Sequence, residues 1–404
     1  MGSSAGRRCR AGLALAGLLV GGTARAADPG DETRERMHGI FVAFATLLGR
    51  AQDPAVFSDP HYRAEIAGAL SDLVTRTRAL ESHTGSLNAG HSSVRRSLVD
   101  DAALAQDAYA EGLFEAARFR VGQLADDCFA CHSKLPSDHR FDLGARLLES
   151  EPVVRIPLES RALVAVAARQ FEAALALDEA LFRDSSRSAT EIGLSGAFER
   201  YLKVALRVTG DGARARTHLE AFLGRPDVPR YLADDVAAWA ETLAGLSAED
   251  FAVAPERRLA SAREWIREAQ LRTAYPGDLR GLVHSVMASW LLHLHLDEQP
   301  AERSDLAETF YLLGLCEIQI SPSLWVSEVE DFLEGAIRTA PETSHAGRAY
   351  ATLEAVYTRG FTGSSGTFIP PEIERRLASL RALVDAAQPA RANGPADAAQ
   401  GDSR

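Results

Sequence analysis

The hydrophobic positions of this chain recur every three or four residues, which is the period of an amphipathic α-helix rather than a β-strand. The first of these stripes comprises Met37, Ile40, Phe41, Phe44, Leu47 and Leu48. Asp53-Pro54 ends this helix, because a residue before proline avoids the helical region, and Gly112 marks a later break. The predicted helices are about 31–51, 59–83, 92–109 and 114–135. Short loops between them predict an all-α, up-down-up-down four-helix bundle over 27–150.

Helical patterning continues after a proline-containing connector, Glu151–Pro157. The further predicted helices are about 158–183, 188–208, 211–223, 228–245, 254–273, 278–296, 301–319, 323–339, 343–359 and 370–387. Successive helices joined by short turns are typical of an α-solenoid, so we expect a helical-repeat domain over 151–387. Residues 388–404 are rich in alanine, glycine, proline and polar residues, and this composition predicts a disordered tail.

Within the solenoid, one segment resembles a second segment farther along the chain. Phe310-x-x-Leu313-Gly314-x-x-Glu317 is similar to Tyr350-x-x-Leu353-Glu354-x-x-Tyr357. This pattern resembles the first helix of a TPR-type repeat, although the offset between the two segments is longer than one repeat of that type. We therefore expect a degenerate TPR-like array with insertions. Such an array implies a protein partner.

The first 26 residues have the pattern of a secretory signal peptide. Arginines at 7, 8 and 10 precede an apolar run over 11–22, and Ala24-Arg25-Ala26 follows as a small-x-small cleavage site. Cleavage removes four arginines and no acidic residue, so the formal charge changes from −12 to −16. No later stretch is long and apolar enough to span a membrane. We expect a soluble periplasmic protein, and its acidity argues against nucleic-acid binding.

The strongest chemical signal is Cys128-Phe129-Ala130-Cys131-His132, a C-x-x-C-H motif. Its two thiols lie one helical turn apart, where both can add to the vinyl groups of one haem, and the next residue supplies an imidazole to the iron. A zinc site would require two more closely spaced ligands, and a thioredoxin-like motif would require a βαβ unit. The motif predicts one covalently attached haem c, with Cys128 and Cys131 as thioethers and His132 as the proximal ligand.

The predicted topology indicates which side chains share the haem end of the bundle. The start of the first helix, the end of the second, the start of the third and the end of the fourth meet there. The candidate ligands at that end are Met37, His38, His83, His91 and His132. Two of them have an interpretation without haem: Met37 as a core residue of the first helix, and His83 as a structural histidine on an apolar face. The sixth ligand is therefore expected to be Met37 or His83, and an open five-coordinate iron is the third alternative.

This first quarter of the chain resembles the class II c-type cytochromes, the cytochrome c′ and c556 group. Those proteins are four-helix bundles with C-x-x-C-H near the end of the last helix. In their low-spin members a methionine early in the first helix is the sixth ligand, and Met37 occupies a matching place. The long C-terminal extension departs from that family. The resemblance implies a haem protein and leaves the array unexplained.

Together these features predict a periplasmic monohaem cytochrome that exchanges electrons with a partner protein and is not an enzyme. A haem-based redox or gas sensor is one alternative, and a periplasmic scaffold whose array binds a partner is another. A peroxidase-like enzyme is disfavoured, since the chain has no second C-x-x-C-H and no recognisable distal acid–base pair. Three further features are not assigned a function. Cys316 is expected to be a buried free thiol, and Gly363–Thr367 is expected to be a turn. His284, His293 and His295 are not expected to form a metal site.

Overall fold

The fold is described from a computed structural model of the chain. The model describes residues 29–83, 89–132, 144–145, 148–149, 151–275, 277–298, 300–321 and 327–387. The predicted signal peptide over 1–26 and the predicted tail over 388–404 lie outside these ranges. Apart from one hairpin of two-residue strands, the regular structure within them is helical, so the all-α prediction is confirmed.

The N-terminal part contains four long helices and one short one. They are α1 (Pro29–Ala51), α2 (Pro54–Ser58), α3 (Arg63–His83), α4 (Ala89–Ala110) and α5 (Phe114–His132). The side chain of Asp53 accepts a hydrogen bond from the backbone of Ala55 and caps α2, and Pro54 provides its first turn. Gly112 has a φ of 81°, a left-handed conformation that glycine adopts without strain, so it ends α4 as the sequence indicates.

The four long helices pack in chain order, α1 on α3, α3 on α4 and α4 on α5, and α5 returns to α1. Arg36 contacts the carbonyl oxygen of Ala79, and Arg50 pairs with Glu65, so α1 and α3 run antiparallel. Their inward stripes form one apolar core. Its largest fully buried side chains include Phe44, Leu47, Phe57 and Ile66.

The remaining helices begin after residue 150. They are α6 (Glu151–Val154), α7 (Leu158–Ala167), α8 (Phe171–Arg183), α9 (Ala189–Leu194), α10 (Ala197–Lys203), a π-helix (Val204–Thr209), α11 (Gly212–Leu223), α12 (Arg230–Gly245), two 3-10 turns (Ala248–Phe251 and Pro255–Arg257), α13 (Arg258–Arg272), α14 (Leu282–Asp297), α15 (Arg303–Ile320), α16 (Ser327–Thr339), α17 (Ser344–Gly360), strands β1 (Thr362–Gly363) and β2 (Gly366–Thr367), and α18 (Pro371–Ala387).

Most of these helices pack against their neighbours in sequence, which is the arrangement expected of stacked hairpins. The pairs with the most extensive packing are α7 with α8, α11 with α12, α13 with α14, α14 with α15, α15 with α16 and α16 with α17. One continuous apolar core runs through all of them. The TPR-like character of the array remains a prediction.

Several boundaries differ from those that the sequence predicts. The predicted helix over 158–183 is interrupted at Ala168–Gln170, where the chain reverses between α7 and α8. The predicted helix over 188–208 is divided by Gly196, which has a positive φ, and it ends in the π-helix. Ala89 and Gly90, expected in a loop, belong to α4. The turn predicted over Gly363–Thr367 is present as the turn of the two-stranded hairpin, in which Gly363 pairs with Gly366. Local periodicity does not record these changes because the residues that fill each turn are also compatible with helix.

The two parts of the chain are packed together along two sides. On one side α5 contacts α7, and Val164, Ala167 and Ala168 belong to the core of the N-terminal helices. On the other side α4 contacts α16, where Arg96 and Asp331 approach to 3.9 Å. The N-terminal core therefore includes side chains from beyond residue 150, where the sequence predicts the domain boundary.

Candidate functional site

The cysteine–histidine motif forms the last turn of α5. Cys128 and His132 are buried at 8% and 7% exposure, and Cys131 is half-buried. Both cysteines are thiols that take part in no disulfide among the described residues. The stripe that continues from Ala117 through Val121 and Leu124 to Cys128 explains this burial, because residues three and four apart share a helix face. Cys128 therefore belongs to the core-facing stripe of α5, whereas Cys131 lies half-buried at its edge.

The imidazole of His132 lies against the end of α7. Burial is the main cause that lowers the pKa of His132 to about 4, and the positive charge of Arg169 acts in the same direction. Hydrogen bonds with the backbone of Val166 and Ala167 oppose this shift. The ring is therefore neutral at physiological pH, which is the form that ligates metals. Its Nδ1 atom is buried and has no hydrogen-bond partner among the described residues.

Arg169 reaches the motif from the turn between α7 and α8. The turn is closed by backbone hydrogen bonds from Arg169 to Val166 and from Gln170 to Ala165. Arg169 has a φ of 57°, and among the described residues it is the one non-glycine residue with a positive φ. Burial lowers the pKa of its guanidinium, while the nearby Cys131 raises it. A charged side chain from outside the four long helices thus lies beside the motif.

A polar network borders the motif on the side of α4. Ser97 donates a 2.7 Å hydrogen bond to Asp127, the residue before Cys128. Asp101 pairs with Arg120 at 3.1 Å and also interacts with Asp127. Burial raises the pKa of Asp101 although Arg120 acts in the opposite direction. These contacts hold the last turns of α5 against α4.

Helix geometry places Met37 at the level of His132. Arg118 in α5 donates a 3.4 Å hydrogen bond to the carbonyl oxygen of Ala51 at the end of α1. In α1, Met37 lies 14 residues before Ala51, and in α5, His132 lies 14 residues after Arg118. Since the two helices run antiparallel, both residues lie about 21 Å from that contact, at the same end of the helices. The side chain of Met37 is partly buried against the N-terminal core.

The same reasoning places His83 farther out. The pairs Arg36–Ala79 and Arg50–Glu65 set the register of α1 against α3, and in that register His83 is level with residue 32. His83 therefore lies about 7 Å beyond the level of Met37. The side chains of His83 and His91 are outside the described part of the chain. His38, another candidate at that end, is partly buried, and its Nδ1 has no partner among the described residues.

The residues of the motif fit the chemistry of a covalently attached haem. Such attachment requires two thiols one turn apart and a neutral imidazole with a nitrogen available to iron. Cys128 and Cys131 supply the thiols, and His132 supplies a neutral ring with one unpartnered nitrogen. Within the described residues, no three His, Cys, Asp or Glu side chains are grouped so that they could hold a metal ion by themselves.

Sequence reasoning missed the contribution of α7 and of the turn after it. Val166, Ala167 and Arg169 lie far beyond His132 in the chain, and their local sequence is that of an ordinary apolar helix. Only the packing of α7 on α5 brings them to the motif. A positive φ at an arginine also has no signature in a single sequence, since glycine is the residue that signals it.

The secondary features lie elsewhere in the fold. Cys316 is a buried free thiol in α15, as predicted, and burial raises its pKa well above the ordinary value for a thiol. His284 and His293 are buried in α14, and burial lowers the pKa of His284 to about 4. These groups are core residues of the array and are separate from the motif.

Comparisons with known proteins do not extend these observations. The chain matches no model of a protein family, no curated protein and no solved structure. Among the residues that the structure describes, no helix combines the length and the apolar character needed to cross a membrane.

Proposed function

We propose that this chain is an exported monohaem c-type cytochrome that passes electrons to or from a partner protein. The observation that carries the proposal is the last turn of α5, where two thiols and a neutral, buried imidazole lie within five residues. The amino-terminal sequence pattern supports export, and c-type haem is attached outside the cytoplasm. The helical array after residue 150 supplies a surface for the partner.

The residues have distinct roles in this proposal. Cys128 and Cys131 would hold the haem through two thioether bonds, one from each thiol. His132 is the proximal ligand and Met37 the sixth ligand, in keeping with their common level along the helices. The haem supplies a one-electron ferric–ferrous couple.

The protein orients the imidazole and places it in a low dielectric. The backbone of Val166 and Ala167 holds the ring of His132, as backbone carbonyl groups commonly do for metal-ligating histidines. The apolar core of the four long helices includes Ile40, Leu80 and Cys128 towards the same end. If His132 and Met37 both bound the iron, no position would remain for a substrate, so the proposed role is that of an electron carrier.

The experiment that tests this proposal is expression of the full chain in a host that matures c-type cytochromes. The intact mass after acid–acetone extraction should still include one haem, because thioether bonds resist that treatment. Cys128→Ser and Cys131→Ser together should abolish retention, whereas Cys316→Ser, a matched change at the buried cysteine of α15, should leave it intact. Loss of all haem from the wild-type chain would refute the proposal.

A further inference from the structure

The turn between α7 and α8 brings a cation from the helical array to the motif of the N-terminal helices. Helix α5 packs on α7, and the backbone of Val166 and Ala167 contacts His132. Two residues later Arg169 lies within electrostatic range of both Cys131 and His132. The array therefore forms one wall of the site that we assign to haem.

The backbone at Arg169 favours a different residue. A φ of 57° is strained for an arginine, whereas glycine adopts it freely. If this position only had to reverse the chain direction, glycine would do so with less backbone strain. What arginine adds at this position is a long side chain with a permanent positive charge, which points to a role for that charge.

Haem attachment changes the surroundings of this charge. Cys131, whose ionised thiolate form favours the charged guanidinium, becomes a thioether that cannot ionise. The haem brings two carboxylates and an iron whose oxidised state carries one more positive charge than its reduced state. A fixed cation at the site disfavours the oxidised state, directly or by neutralising a carboxylate. Both effects raise the reduction potential.

We propose that Arg169 is a positioning residue of the haem site, contributed by the array, whose charge raises the reduction potential of the iron. This inference rests on the proposed function, since it presupposes the covalent haem. It also assigns the array a direct part in the redox chemistry, in addition to binding a partner.

The test compares full-length holoproteins by spectroelectrochemical titration. Arg169→Gln removes the charge, Arg169→Lys keeps the charge, and Arg169→Gly removes the charge while relieving the backbone. Arg230→Gln is the matched control, because the side chain of Arg230 is 94% exposed and lies on α12, outside the α5–α7 contact. The haem content of each protein is measured in parallel by intact mass.

We expect Arg169→Gln and Arg169→Gly to lower the midpoint potential at unchanged haem content. Arg169→Lys should restore most of the wild-type value, and Arg230→Gln should leave it unaltered. Equal potentials in the wild type, Arg169→Gln and Arg169→Gly would overturn the inference, as would equal losses in Arg169→Lys and Arg169→Gln. If Arg169→Gln does not fold, the midpoint potentials of Arg169→Lys, which keeps the charge, and Arg169→Gly, which removes it, are compared instead. Absence of haem from the wild type would instead refute the proposed function.

Discussion

Gly314 in α15 and Leu333 in α16 pack so closely that a β-carbon on Gly314 would lie 2.5 Å from Cδ2 of Leu333 and 2.7 Å from its Cγ. Both residues are buried. Helices that cross at a glycine approach each other more closely than side chains otherwise permit. Glycine at this position of α15 therefore has a packing reason in this structure.

We expect Gly314→Ala to destabilise the protein by about 1–3 kcal/mol, since overpacking outweighs the better helix propensity of alanine. Urea denaturation followed by circular dichroism measures the change. Leu333→Ala should lose about 2–5 kcal/mol through the cavity that it creates. The double variant should lose less than the sum of the single variants, because each change accommodates the other. A stabilised Gly314→Ala protein would contradict this packing.

Met37→Ala should open the sixth position of the iron. If the proposed ligation is correct, the wild-type holoprotein is low-spin in both redox states, shows a weak absorption near 695 nm when oxidised, as the resemblance to low-spin class II cytochromes implies, and does not bind carbon monoxide readily. The variant should be high-spin and should bind carbon monoxide. Absorption spectra of both redox states, with and without carbon monoxide, are the measurement.

His83→Ala is the comparison for that experiment, since His83 lies about 7 Å beyond the level of Met37. Its spectrum should match the wild type. A high-spin His83→Ala protein with an unchanged Met37→Ala spectrum would instead identify His83 as the ligand. A wild-type protein that is already high-spin and binds carbon monoxide would favour the gas-sensing alternative.

The buried ion pair between Asp178 in α8 and Arg200 in α10 gives a stability prediction. Both side chains are almost completely buried, and two hydrogen bonds join them. Burial raises the pKa of Asp178, and Arg200 acts in the opposite direction. Arg200→Met should destabilise the protein by about 3–5 kcal/mol, because it leaves a buried carboxylate without its partner. Arg200→Met with Asp178→Leu should recover much of this loss in denaturant titrations. Equal stabilities of the single and double variants would show that the charge is not the cause.

Asp331, at the contact between α4 and α16, makes stability depend on pH. Burial raises the pKa of its carboxyl to about 7, although Arg96 and Arg376 act in the opposite direction. In the unfolded chain the same group ionises near its ordinary value of 3.8. The folded state therefore holds a proton that the unfolded state releases. The stability due to this proton is complete below about pH 4 and is lost as the pH rises through 7.

Asp331→Asn should remove that dependence. The stability of the wild type relative to the variant should fall between about pH 4 and 7, by at most about 1.4 kcal/mol per pH unit, and then level off. Thermal and denaturant unfolding at several pH values are the measurement. Asp385→Asn is a suitable control, because the side chain of Asp385 is 68% exposed. A constant difference between wild type and Asp331→Asn over this range would contradict the prediction.

The sequence alone predicts most helices of this protein and both thiols of its candidate site. Apolar side chains spaced by three and four residues set the helical class, Asp53-Pro54 and Gly112 set ends, and Cys128-x-x-Cys131-His132 sets the chemistry. These properties depend on residues close together in the sequence, so they can be predicted without knowledge of the tertiary structure. The identity of the haem, the export and the partner remain proposals.

Tertiary structure decides which distant residues complete the site. Whether Met37 or His83 is level with His132 depends on helix register, which the contacts of Arg118 and Arg36 establish. The presence of Arg169 depends on a reversal after α7 that brings the array onto α5. Local periodicity carries no information on such contacts, since it reports which face of a helix is buried and not what covers it.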